Sequence, residues 1–310
     1  MGDSRRRRDP AGYAAVLVAY VSMSGTAPLV AWAEAPESVI LLLRMALAAL
    51  ALGLVVARPR TLADWRRPGA APRLLLMAVI STVTLLLNFY AVRHVSVAIA
   101  LFLLFLMPVW VALAAPRLLH LPREPIVWPA LGLALAGLAV LLVPDLRGQG
   151  VTFSVAGLVA ALLSGFGYAT YAFTVKSLTR MVSSSTIAMA EAAGVSVLVL
   201  PLALWQLHTT AYSLQRNDWL AAAVMGVFCT AIAYTLWNEG AKRVRVEHVT
   251  ILGYVEPVSG VIFAVLLLGQ QPTLWTWIGG ALILGAGLLT VVLGRGEGDA
   301  VAAAAEPEPL

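Results

Sequence analysis

Three ionisable side chains stand inside otherwise uncharged stretches of this chain: Arg44, Glu191 and Glu256. A carboxylate held away from water binds an ammonium group or takes up a proton, and a guanidinium grips a carboxylate through parallel N–H donors. Glu256 lies roughly nine residues into its apolar run, about 13 Å deep at about 1.5 Å per helical residue. Pro257 follows it and has no N–H to donate, so a kink is expected there, with freed carbonyls beside the acid. An acid at that depth is costly unless it is protonated, paired or wet, which makes Glu256 the first candidate for a binding group. Arg44 and Glu191 fall at different depths, so no direct pair between them is expected. Arg44 can hold a substrate carboxylate, but snorkelling outward or capping helix carbonyls is the reading preferred for it.

Two carboxamides, Asn88 and Asn238, sit near the ends of apolar runs, where such groups join helices or touch a substrate. Tyr20, Tyr168, Tyr171 and Tyr254 lie deeper. Buried phenols need partners, so these four, with Trp237, are the aromatic candidates for a cavity wall. Trp32, Trp128 and Trp275 fall at run ends, where interfacial tryptophans belong. Other chemistries find no support. The four histidines are scattered without i, i+4 spacing, and the single Cys229 can form neither an internal disulfide nor a thiolate cluster. No metal or cofactor is expected. Ser22-Met23-Ser24-Gly25 lacks the preceding glycine of a nucleophile motif, the intraspan acids are not a pair of aspartates, and no phosphate-binding loop is present. An enzyme, an ATP-driven pump and a channel are the disfavoured readings.

The elements that position these groups follow from composition. The chain has 310 residues, 60% of them hydrophobic and 12% charged. That much apolar surface requires lipid as solvent, and in lipid the backbone must satisfy itself, as in a helix. Uncharged runs predict an all-α membrane protein with ten spans: 11–32, 37–57, 73–92, 95–114, 126–144, 151–174, 184–206, 218–238, 248–268 and 273–293. The last two are divided at 269–272, where Gly, Gln and Pro interrupt the run.

Charge sets the expected orientation. With the N-terminus inside, 17 Lys and Arg residues fall on the inner side and 3 (Arg93, Arg147, Arg216) on the outer. That asymmetry is the positive-inside pattern, and it places both termini in the cytoplasm. Cations distributed in this way argue against a nucleic-acid partner. Reporter fusions are expected to place the Arg58–Arg73 loop inside and the Arg147 loop outside; a C-terminus on the far side would contradict the ten-span reading. Arg5 to Arg8, the following apolar stretch and Ala33-Glu34-Ala35 also match a cleavable leader, but the stretch is long enough to span, and it completes a repeat.

That repeat is visible as an ordered series. Asn88, Ala91-Val92-Arg93, Pro108-Val109, Pro125-Ile126-Val127-Trp128 and Gly132 recur as Asn238, Ala241-Lys242-Arg243, Pro257-Val258, Pro272-Thr273-Leu274-Trp275 and Gly279. Gly12 aligns with Gly157, and Arg44 with Glu191. The expected organisation is a basic arm at 1–10, a first five-helix repeat at 11–144, a connecting loop at 145–150, a second repeat at 151–293 and a disordered tail at 294–310. Five helices is an odd number, so the second copy enters the membrane inverted, the signature of a secondary transporter whose site lies between the repeats. Pro108, with Met107 and no acid before it, is expected to be a kink alone.

On these residues the chain resembles the drug/metabolite transporter superfamily in its EamA branch. The resemblance rests on Arg44 to Leu50, Asn88 to Ala91, Ser96 and Pro108, and on Glu256-Pro257-Val258, Leu267 to Gly269 and Gly279 to Ile283. It departs at Gly269-Gln270, where members often carry an acid; the first-half counterpart, Arg123-Glu124, is kept. The resemblance implies alternating-access transport of a small metabolite, an amino acid or related solute, with export the expected direction. A proton-coupled multidrug pump is the alternative, weakened because neither Tyr13–Val30 nor Gly157–Thr174 contains an acid. The expected partners are a small-molecule substrate and the lipid bilayer of a bacterial inner membrane. A monomer is expected to suffice, and a dimer stays open.

Overall fold

The protein is described from a computed structural model at residues 9–56, 64–95, 103–119, 124–143, 154–268 and 273–294. Residues 1–8 of the basic arm, 57–63, 96–102 with Ser96, 120–123 with Arg123, 144–153, the 269–272 interruption and 295–310 of the tail lie outside the described residues.

Every described element is helical. The first half contains α1 (Pro10–Ser24), α2 (Thr26–Trp32), α3 (Glu37–Val56), α4 (Ala70–His94), α5 (Met107–Leu118) and α6 (Val127–Leu141). The second half contains α7 (Val155–Leu178), α8 (Ser184–Thr210), α9 (Arg216–Val224), a π-helix (Met225–Ile232), α10 (Ala233–Arg243), α11 (Val246–Leu252), α12 (Val255–Leu268) and α13 (Leu274–Leu293). Among the described residues, six segments are long and apolar enough to cross a membrane: Glu37–Leu54, Ala70–Asn88, Val155–Leu178, Ser184–Thr210, Arg216–Arg243 and Leu274–Leu293. Pro10–Ser24, Met107–Leu118 and Val127–Leu141 are shorter apolar helices.

Polar side chains fix the helix starts. Asp9 Oδ1 accepts from the N–H groups of Ala11 and Gly12 at 3.0 and 3.1 Å, with Pro10 in the first turn, where a missing N–H costs nothing. Ser154, Ser183 and Thr273 cap α7, α8 and α13 in the same manner. Large apolar side chains such as Leu54, Leu75, Val155 and Trp277 point outward and are exposed, as lipid-facing residues should be, and Trp32, Trp128 and Trp275 are exposed near helix ends.

The interior is closed by small residues. The principal packings are α4 on α7, α6 on α13, α3 on α8 and α1 on α10. At the α6–α13 crossing, a Cβ on Gly137 would lie 2.8 Å from the Gly279 carbonyl oxygen, and one on Gly279 would lie 2.6 Å from the Gly137 carbonyl oxygen. Backbone therefore meets backbone, which is the close approach that van der Waals packing in lipid requires. Gly165 likewise meets the Leu103 carbonyl, whereas Gly280, Gly285 and Gly287 have room for a side chain.

The two proline expectations need correction. The ninth predicted span is not one kinked helix: it breaks at Gly253-Tyr254 between α11 and α12, so Pro257 sits in the first turn of α12. Pro108 likewise sits in the first turn of α5, after a break at Phe105-Leu106. In a first turn the missing N–H has no intrahelical partner to lose, so these prolines start helices rather than bend them.

Candidate functional site

A polar cluster is assembled from helices of both halves. Arg44, on α3, donates from Nε to Thr230 Oγ1 at 2.7 Å and from Nη2 to the Tyr234 hydroxyl at 3.3 Å. The π-helix carries Thr230, which in turn donates to the Met225 carbonyl at 2.9 Å. Close approach here depends on Gly226, where a Cβ would lie 2.8 Å from the Arg44 carbonyl oxygen. Arg44 thus neither snorkels nor caps carbonyls, because two hydroxyls inside the bundle take its donors. These contacts account for two of the five N–H donors of a guanidinium.

Glu191, on α8, is 2% exposed and receives two hydrogen bonds, from Ser81 Oγ at 2.7 Å and from the Tyr171 hydroxyl at 2.5 Å. The Tyr171 ring lies 5.8 Å from that of Trp237, and both pack with Tyr20 in one core. Glu256, in the first turn of α12, is only half-buried, and no described side chain hydrogen-bonds its carboxylate. Arg44 is the cation in electrostatic reach of both Glu256 and Glu191. No ion pair joins Arg44 to either acid among the described residues. Tyr168 is coupled through space, by charge, to Tyr234, Glu256, Arg44 and Glu191. The structure therefore brings together Arg44, Glu256, Tyr20, Tyr168, Tyr171 and Trp237, with Glu191, Tyr234 and Thr230 added. Arg44, Tyr168, Tyr171, Tyr234 and Glu256 all keep partial exposure.

The remaining candidates stand apart from this cluster. Tyr254 is buried, and its hydroxyl donates to the Phe105 carbonyl at 2.5 Å, tying the two helix breaks together. Asn238 is buried and donates to the Ser184 carbonyl at 3.3 Å, joining α10 to the start of α8. The Asn88 amide nitrogen is buried without a hydrogen-bond partner among the described residues.

Sequence reasoning missed two further polar assemblies. One is a buried charge network between the start of α6, the end of α10 and the start of α11. Arg245 Nε lies 3.0 Å from Glu124 Oε2, and Arg245 Nη2 donates to Glu247 Oε1 at 2.9 Å. His248 Nε2 is 2.8 Å from Glu124 Oε2, and its Nδ1 is 2.7 Å from the Tyr13 hydroxyl. The chain of bonds is self-consistent when Tyr13 donates to Nδ1 and Nε2–H donates to Glu124. Lys176 is 2% exposed and donates to the carbonyls of Ala241 and Val244 at 2.6 and 2.8 Å, completing the C-terminal end of α10.

The other assembly is a pair of aspartate clasps. Asp64 Oδ2 accepts from Ser183 N at 2.9 Å and Thr186 Oγ1 at 3.0 Å, and Asp218 Oδ1 accepts from the N–H groups of Glu34 and Ala35 at 2.9 and 3.0 Å. Each aspartate precedes a tryptophan, and each ties its own half to the other. Burial raises the Asp64 pKa, but the hydrogen bonds from Ser183 and Thr186, with Arg67 beside it, outweigh burial and hold it below the usual 3.8. A carboxyl depressed on folding stabilises the protein above its unfolded pKa and loses that stabilisation as pH falls through the folded value. Melting curves in detergent are therefore expected to show Asp64→Asn destabilised by about 1–3 kcal/mol near neutral pH. The difference from wild type should shrink below pH 3.8. A constant difference across that range would contradict the clasp.

Comparison with known proteins agrees with this architecture. The profile of the EamA-like transporter family matches twice, at residues 10–143 and 155–292. The chain belongs to the EamA-like transporter family. It is 30% identical over 237 residues to an uncharacterized transporter of Archaeoglobus fulgidus, covering 76% of this chain and 82% of that one. It is 29% identical over 168 residues to an uncharacterized transporter of Bacillus subtilis, covering 53% of each. A solved crystal structure superposes with a TM-score of 0.78 at 21% identity, over 92% of this chain and 97% of that one, and so shares its fold. As an EamA-family protein, the chain is a multi-pass membrane transporter built from two copies of one unit.

Proposed function

We propose that this EamA-family protein is a secondary transporter that moves a small zwitterionic metabolite, an amino acid or related solute, outward across a bacterial inner membrane by alternating access. In this reading ten spans form two inverted five-helix repeats, at 11–144 and 151–293, with both termini in the cytoplasm. The observation that carries it is Arg44 bonded to Thr230 and Tyr234 between the helices, in electrostatic range of Glu191 and Glu256, with Tyr20, Tyr171 and Trp237 packed together nearby in the core. Arg44 offers donors to a substrate carboxylate, and Glu256 offers an acceptor to its ammonium. Tyrosine faces and hydroxyls then wall the space between.

Inversion is supported by contacts that occur in repeat-related pairs. A Cβ on Gly12 would meet Arg243 and Val244 at the end of α10, and one on Gly157 would meet His94 and Val95 at the end of α4. The α1–α10 and α4–α7 packings correspond under the repeat, as do the Asp64 and Asp218 clasps. Phe105 and Tyr254, equivalent positions in the two halves, touch each other directly. Such contacts fit two halves exchanging roles about an axis in the membrane plane, with the site near that axis.

The test is uptake into liposomes containing the purified protein, using a panel of radiolabelled amino acids with and without a pH gradient. Saturable flux of at least one zwitterion above protein-free liposomes is expected. Flux confined to lipophilic cations would instead favour the multidrug reading.

A further inference from the structure

The charge network borders a cavity that the transport reading does not use. It has a volume of about 300 Å³ and lies between the end of α5, the start of α6 and the start of α11. Glu247 and Glu124 line it, together with Arg117, Trp128 and Leu113. Glu247 is 3% exposed; its Oε1 is taken by Arg245, while its Oε2 is buried without a hydrogen-bond partner among the described residues. A buried carboxylate oxygen left unpaired is expensive, so the site calls for a donor that the described residues do not supply there.

The rest of the lining identifies the donor. Leu113 is 46% and Trp128 47% exposed, so the mouth of the cavity carries exposed apolar side chains. Arg117 is itself exposed and stands at the rim beside Leu113, its Nη1 making one long bond, 3.4 Å, to the Leu113 carbonyl. A soluble cation would gain nothing from the apolar mouth and would be repelled by Arg117. A zwitterion with an ammonium inside and a phosphate outside matches the order of groups. We propose that this cavity binds the headgroup of an aminophospholipid with a primary ammonium, its N–H donors directed at Glu247 Oε2, its phosphate beside Arg117 and its acyl chains along Leu113 and Trp128. A quaternary ammonium has no N–H to donate, so a choline lipid fits the surface but not the carboxylate.

Native mass spectrometry of the full chain with added phosphatidylethanolamine, phosphatidylcholine or phosphatidylglycerol tests this. Retention of the ethanolamine lipid is expected to exceed that of the other two by about tenfold, the effect of one charge-assisted hydrogen bond. Glu247→Gln should bring it down to the level of the choline lipid. Arg117→Gln, at the exposed rim and outside the buried pair, should weaken ethanolamine and glycerol lipids alike while the protein elutes normally on gel filtration. Soluble phosphoethanolamine should not displace the lipid at micromolar concentration. Equal retention of ethanolamine and choline lipids, unchanged binding in Arg117→Gln, or displacement by micromolar phosphoethanolamine would each overturn the assignment.

Discussion

Glu256→Gln is expected to lower flux in liposomes at least tenfold while leaving the protein folded. The substitution keeps the side chain's shape and hydrogen-bonding capacity but removes its charge. Glu256 stands half-buried in the first turn of α12, in electrostatic range of Arg44 and without a side-chain hydrogen bond among the described residues. Losing a charge-assisted bond to a substrate ammonium is worth roughly 1.5–3 kcal/mol, and tenfold corresponds to about 1.4 kcal/mol. Folding has little to lose, because no described side chain depends on this carboxylate for a hydrogen bond. A near-normal rate with an unchanged pH response would remove Glu256 from the mechanism. Gel filtration and melting separate a lost function from a lost fold.

Arg245→Met is expected to lower stability by about 3–5 kcal/mol, the usual effect of removing one member of a buried ion pair. Arg245 is 1% exposed, and both of its partners are carboxylates buried almost as completely. Deleting the cation leaves Glu124 with only His248 among these contacts and leaves Glu247 without its charged partner. The combined change of Arg245→Met with Glu124→Gln and Glu247→Gln should recover much of the loss, because it removes the stranded charges together. Thermal melting in detergent measures both. Equal melting of the single variant and wild type would show that the network contributes little to the fold.

Much of this was legible before any coordinates. Lipid allows few backbone solutions, so long uncharged runs translate into helices, and the runs predicted at 184–206 and 273–293 became Ser184–Thr210 and Leu274–Leu293. The repeat was legible because Gly12, Gly157, Pro108 and Pro257 occupy equivalent packing positions, where backbone geometry limits the residue type. The break at Gly253-Tyr254 was not legible, since 248–268 holds no Lys, Arg or Asp and Glu256 as its one acid, and Tyr254 finds the Phe105 carbonyl across the molecule.

Charges near run ends were also misleading. Lys176 and Arg245 looked like solvated loop cations, yet both are buried, one on the end of α10 and the other between two acids. Their partners are distant in sequence, so spacing alone could not reveal them. Glu124 was visible only as one member of a family dipeptide, and Glu191 gave no hint that Ser81 and Tyr171 would close over it. Arg44 was placed correctly as an intraspan cation, but its hydroxyl partners depend on the π-helix, whose extra residue per turn no apolar pattern betrays.

The central claim is that a substrate site between two repeats is exposed to one side at a time. Counterflow in liposomes measures that property directly: vesicles loaded with unlabelled substrate are diluted into labelled substrate, and the label is followed inside. An alternating-access carrier returns loaded, so the label should accumulate transiently above equilibrium, with Glu256→Gln abolishing the overshoot. A monotonic rise to equilibrium that internal substrate does not accelerate, and that stays linear in substrate concentration, would indicate a pore and contradict the account.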